Sequence, residues 1–210
     1  ALGDDGRMDR STPELPGWHA IGTPAPEERT WRYVCFDVQR EADELDKSVT
    51  QRFRAVALPA GLEKWYTPGF DDSTWSQGKT PIGAGNWKHR QSNVNNNSDW
   101  GDGEFLLMRT SFELDSIDCE SYRLSILARQ GFDVYLNGHK IHTYIWWKTK
   151  PYYRAILLTE NETQHLKKGV NVLAVYANVH YDRETVEPYG SIDLFLEGIT
   201  RKGKQQLART

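Results

Sequence analysis

From residue 100 onward the side chains alternate with a period of two, and this limits the chain to β-architecture. In Leu106-Leu107-Met108-Arg109-Thr110-Ser111-Phe112-Glu113-Leu114, one face takes Leu106, Met108, Phe112 and Leu114, while the other takes Arg109, Ser111 and Glu113. Tyr122 to Ala128 repeats the pattern through Leu124, Ile126 and Ala128. Phe132 to Leu136 and His139 to Tyr144 flank Asn137-Gly138. That dipeptide is the strongest short hairpin signal, because a type I′ turn needs φ above zero at both central positions. Arg154 to Leu158, Val170 to Ala177 and Ser191 to Glu197 complete the series. The 170–177 run is almost continuously apolar, as at a sheet centre.

Earlier in the chain, Thr30 to Val38 reads as a strand, rich in aromatic and β-branched residues. Gln39 to Arg52 is charged and Gly-free, with Leu45 and Val49 four apart, which allows a short amphipathic helix. One helical turn is expected between Asn161 and Gly169. Short strands set apart by turn signals, with little helix, mean an antiparallel β-sandwich or barrel, and one sandwich is the economical answer. No repeat of fixed period points to a propeller or solenoid. The organisation expected is an extended lead-in over 1–29, in which Trp18 and Ile21 are anchors, a sandwich domain over 30–200 and a polar tail over 201–210.

A chain of 210 residues buries roughly 70% of the surface its unfolded form exposes, so neither metal nor disulfide staples are required. Lys and Arg number 26 against 29 Asp and Glu, a net charge of -3, and a nucleic-acid binder needs the opposite balance. No run of 18 apolar residues exists to span a membrane. The opening Ala1-Leu2-Gly3-Asp4-Asp5 has neither the basic start nor the apolar segment of a signal peptide, and with no initiator Met a processed chain or a domain cut from something longer is expected. Cys35 and Cys119 have no metal-like spacing; they either pair or stay apart as small hydrophobes.

Adjacent Asp71 and Asp72 suggest acid–base work, but glycosidase carboxylates flank a bond from two sides, about 5 to 9.5 Å apart. Neighbours in a turn more usually cap backbone amides, and Phe70 and Trp75 bracket this pair as a turn pinned to the core. His139 and His142 stand three apart on a strand, so alternation sends them to opposite sides, where one metal cannot take both. No H-E-x-x-H, C-x-x-C, G-x-S-x-G or phosphate loop occurs. No cofactor is expected. A structural calcium ion is the one option, because the Asn93 to Glu104 loop offers Asp99, Asp102 and Glu104. Two glycosylation sequons, at Asn96 and Asn161, fall in expected loops.

Of the 8 Trp, 10 Tyr and 7 Phe, three groups fall in expected loops. Tyr144 to Tyr153 crowds five large rings around one, Tyr181 and Tyr189 lie in another beside His180, Asp182, Arg183 and Glu187, and Trp87 and Trp100 belong to a third. Sugar rings stack their C–H faces on aromatics while nearby polar groups take the hydroxyls. The candidate carbohydrate-binding set is therefore Trp146, Trp147, Tyr152, Tyr181 and Tyr189, with Asp182 and Arg183 as polar partners. The plainer alternative is that these rings cover the sandwich ends or pack on an adjoining domain.

The order of several pieces suggests a family. Gly17-Trp18-His19-Ala20-Ile21, Glu28 to Tyr33, Phe70-Asp71-Asp72-Ser73-Thr74-Trp75 with Pro81-Ile82-Gly83, Leu107 to Phe112, Val134-Tyr135-Leu136-Asn137-Gly138 and Leu166 to Val175 follow one another over about residues 15 to 198. Together they resemble the galactose-binding-like jelly-roll modules of large bacterial carbohydrate-active enzymes, such as the sugar-binding domains of glycoside hydrolase family 2. The resemblance implies an all-β antiparallel jelly-roll sandwich of roughly eight or nine strands, with Trp75 sealing one end. The segment from about Gln39 to Ala60 stands out as an insertion. It also implies a non-catalytic module of a secreted, periplasmic or surface protein, covalently linked to a catalytic domain and binding poly- or oligosaccharide. The alternatives are a docking sandwich that binds no sugar, and a β-sandwich lyase or hydrolase. The last requires His142 or His180 to converge with a Tyr and an Arg.

Overall fold

The alternating runs fold as strands where the pattern puts them. Among the described residues the order is β1 (Trp18–Ala20), β2 (Thr30–Phe36), β3 (Ser76–Lys79), β4 (Ile82–Ala84), β5 (Trp87–His89), β6 (Ser92–Val94), β7 (Ser98–Asp99) and β8 (Phe105–Leu114). There follow β9 (Ser121–Ala128), β10 (Phe132–Leu136), β11 (His139–Tyr144), β12 (Arg154–Leu158), the single-turn helix α1 (Glu160–Thr163), β13 (Gly169–Asn178), β14 (His180–Tyr181) and β15 (Pro188–Ile199). The computed structural model describes residues 17–22, 30–37, 57–84, 87–89, 92–128, 131–144, 152–178, 180–181 and 188–199. The expected helix over Gln39 to Arg52 lies outside them.

One sheet has the order β11-β10-β13-β8-β2-β3 and the other β12-β9-β15-β4-β7, with β1 and β14 also on β15; β5 and β6 pair as a separate ribbon. The β4–β7 pairing is parallel and the other pairings are antiparallel. Both sheets end in open edges, so the fold is an all-β sandwich and not a barrel. It carries more strands than the resemblance implies because β1, β5, β6, β7 and β14 are short additions of two or three residues.

The space between the sheets is filled by the residues that alternation assigned to it. Leu106, Met108 and Phe112 of β8 and Leu173 and Val175 of β13 face Leu124 and Ile126 of β9 and Leu194 and Leu196 of β15. Each such fully buried side chain contributes about 1.5–3 kcal/mol. Ile21 joins this core, and β1 pairs with the end of β15. Asn137 (φ 50°) and Gly138 (φ 88°) make the hairpin turn with the sign the dipeptide predicts. Asn137 is tied in by Asn171: its amide donates to Asn171 Oδ1 (2.8 Å) and its Oδ1 accepts from Val172 N (2.9 Å). Thr159 and Glu162 cap α1 reciprocally.

The six-stranded sheet is buried on its outer face as well. Residues 57–75 lie across it, so that Trp65 and Trp75 cover Phe36, Phe105, Leu107, Ala174 and Tyr176. Trp75 thus packs on the face of a sheet and does not seal an end of the sandwich. The segment is held by Arg109, whose side chain is 4% exposed. Its Nε donates to Asp72 Oδ2 at 2.7 Å, and its Nη1 donates to the carbonyls of Trp65 and Thr67. Asp71 Oδ1 accepts from Ser73 N at 3.0 Å, and the bonds from Ser73 hold that carboxyl below its ordinary pKa. Asp71 is turn chemistry, as the neighbouring residues predict, whereas Asp72 is the ion-pair partner of Arg109.

Candidate functional site

The strand register sets which loops lie together. In the six-stranded sheet, Phe36 pairs with Phe105, Phe105 with Asn178, and Phe132 with both Ala177 and Tyr144. The adjoining end of the other sheet is made by Ala128 and the starts of β12 and β15. The connections 129–131, 145–153 and 182–187 therefore leave from one end of the sandwich. Two of them carry the sugar-binding candidates. Trp146, Trp147, Asp182 and Arg183 lie outside the described residues. Tyr181 and Tyr189 come together on one ladder, where Tyr181 pairs with Pro188 and His180 with Tyr189. Tyr152 is exposed at this end, and Tyr153 beside it donates its hydroxyl proton to Asp193. Trp100 belongs to the core instead, since it is 2% exposed.

At the same end the edge strands of the two sheets, β11 and β12, are joined by ring contacts that the sequence did not announce. The guanidinium of Arg154 sits over the Tyr144 ring at 4.5 Å and near the Phe132 ring at 5.8 Å. Tyr144 stacks on Phe132 at 5.5 Å, and His142 lies 5.7 Å from Phe132. Burial, and then the charge of Arg154, push the His142 pKa below its ordinary value. Nη2 of Arg154 is buried without a hydrogen-bond partner. A dry charged donor left unpaired costs at least about 1–3 kcal/mol. The signal for this cluster was thin: a basic residue opening a strand just after an aromatic run.

His139 and His142 do not face opposite sides. The register steps between Val134 and Tyr135, so His142 pairs with Val134 and His139 with Leu136, and both partners face the core. An extra residue on one strand defeats strict alternation. The two imidazoles still have separate neighbours, because His139 stacks on His165 at 3.8 Å, towards the hairpin end.

The carboxylates near these features are each engaged through one oxygen, while Asp133 Oδ1 is buried without a hydrogen-bond partner. Asp133 accepts from Lys140 Nζ at 2.7 Å, and Glu197 pairs with Arg123 at 2.5 Å. Arg123 also lies 4.3 Å over the Trp18 ring. In the oxygen-rich loop, Asp99 Oδ1 accepts from Gly101 N. Among the described residues no three His, Cys, Asp or Glu side chains gather to hold an ion. Nor is any described helix long and apolar enough to cross a membrane. Cys35 and Cys119 are both free thiols.

With the fold and this end in view, known structures can be compared. The likeness is to glycoside hydrolase family 2. A beta-glucuronidase from that family matches with 15% identity and a TM-score of 0.48, over 88% of this chain and 18% of the enzyme. The Bacteroides uniformis beta-glucuronidase matches with 16% identity and a TM-score of 0.44, over 87% and 18%. A beta-glycosidase from Bacteroides vulgatus gives 16% and 0.44, over 85% and 20%. The chain thus spans about a fifth of the length of these enzymes. No family model matches the sequence, and no curated protein does.

Proposed function

We propose that this chain is a non-catalytic carbohydrate-binding module of a larger secreted glycoside-hydrolase-type protein, and that it holds glycan at the loop end built on β10–β15. The observation that carries the reading is the shared origin of the aromatic loops. Register brings Tyr144 and the ladder of 180–181 with 188–189 to one end, Tyr152 is exposed just before β12 there, and the 145–151 connection leaves from the same end. Rings spread over one end of a rigid sandwich are what sugar stacking needs. The parent protein follows from the resemblance of the F-D-D-S-x-W, V-Y-L-N-G and K-G-x-N-V-L-A-V segments. Retention of the chain in affinity gels cast with a panel of polysaccharides tests the reading. The double variant Trp146→Ala/Trp147→Ala is expected to migrate freely; unaltered retention would exclude that loop.

One observation favours docking as a second reading. On the outer face of the seven-stranded sheet, the edge residue Leu157 is 64% exposed and Ala155 is exposed beside it. The enzymatic reading asked for a His, a Tyr and an Arg together, and His142, Tyr144 and Arg154 meet around Phe132. Cleavage of any polymer of the panel by the isolated chain would replace the binding reading with that one.

A further inference from the structure

We infer that the seam between β11 and β12 binds the carboxylate of an acidic sugar, with Arg154 as the residue that holds it; this rests on the glycan-binding reading above. Three arginines on the sandwich can be compared. Arg109 meets Asp72 and backbone carbonyls, and Arg123 meets Glu197. Arg154 meets rings: Tyr144 at 4.5 Å and Phe132 at 5.8 Å. Rings take the flat face of a guanidinium and leave its in-plane N–H fork at the edge, where Nη2 is buried without an acceptor. Nη2 has no acceptor, and the ion pairs of Arg109, Arg123 and Lys140 do not extend to Arg154.

That fork matches the two oxygens of a carboxylate, which an ammonium cannot do. Tyr152, two residues before Arg154 in the chain, is 44% exposed and gives a sugar ring an aromatic surface at the same end. Overall charge does not supply the attraction. At a net charge of -3 the chain repels an acidic polymer on average, so retention needs a local site.

The test is affinity electrophoresis of the full chain in gels containing polygalacturonate, neutral galactan or dextran sulfate. Polygalacturonate is expected to retard the protein. Arg154→Gln should weaken that retardation about tenfold or more, and Arg154→Lys should restore little of it. Leu157→Ala should leave it unchanged, and circular dichroism melts establish that each variant is folded. Full retardation of folded Arg154→Gln, or recovery of wild-type binding by Arg154→Lys, overturns the inference. So does equal retardation by dextran sulfate, which would make the site a general anion binder. Equal retardation by neutral galactan overturns the acidic-sugar claim and leaves the glycan-binding reading standing, whereas passage through all three gels overturns both.

Discussion

Arg109 and Arg154 carry the same guanidinium into two different surroundings. Arg109 rises from a central strand into the segment 57–75, and its donors are taken up by Asp72 and by the Trp65 and Thr67 carbonyls. Arg154 opens an edge strand, lies on two rings and keeps a donor without an acceptor. The first satisfies its polar groups within the fold and serves stability. The second spends ring contact on position and leaves one buried donor, Nη2, without an acceptor. Whether a buried cation is structural or receptive is thus decided by who takes its N–H groups.

Cutting the Arg109 end should produce the largest effect. Arg109→Gln strands Asp72 and the covering carbonyls, and breaking a buried pair costs about 3–5 kcal/mol. Because Asp72 is 27% exposed, the lower part of that range is expected in urea unfolding. A loss below about 1 kcal/mol would break the comparison. Arg154→Gln should cost no more than about 1 kcal/mol in the same experiment, because the loss of desolvated ring contacts, about 2 kcal/mol, is offset by removing a buried donor that has no acceptor. A larger loss would make Arg154 structural too.

A third prediction concerns His142. Burial depresses its pKa below 6.5, so the unfolded chain takes the proton more readily than the native one. The stability from keeping this ring neutral is complete above about pH 6.5 and is lost as pH falls through the depressed native value. Urea midpoints should drop on acidification in the wild type and drop less in His142→Gln. In Arg154→Gln, with the cation gone, an NMR titration should find His142 at a higher pKa; no movement would separate the two residues. Smallest of all, Leu157→Ala at 64% exposure should change stability by no more than about 0.5 kcal/mol.

Most strands after residue 100 were legible because their core faces repeat with a period of two or, in β13, run almost continuously apolar, whereas the two-residue β14 was not. β3, β4 and β7 were not: they are short, carry Gly78, Gly83 and Pro81 within or beside them, and show no alternating apolar pattern. The covered outer face was also invisible. Leu107 and Tyr176 stand opposite the core residues of their strands, yet both are buried under residues 57–75. Of the binding set, composition pointed to the loops, and register then showed that they share an end. For Arg154 the sequence offered only a basic residue after an aromatic run, because a cation–π contact between edges of two sheets has no spacing in sequence.

The sequence by itself determined the antiparallel strands, their core faces and the Asn137-Gly138 hairpin, since alternation and φ preference act between near neighbours. The tertiary structure alone decided that residues 57–75 cover one sheet, that His142 turns to the same side as His139, and that Arg154 lies against Tyr144. Those outcomes depend on contacts between distant segments and on one extra residue in a ladder, which local pattern does not encode.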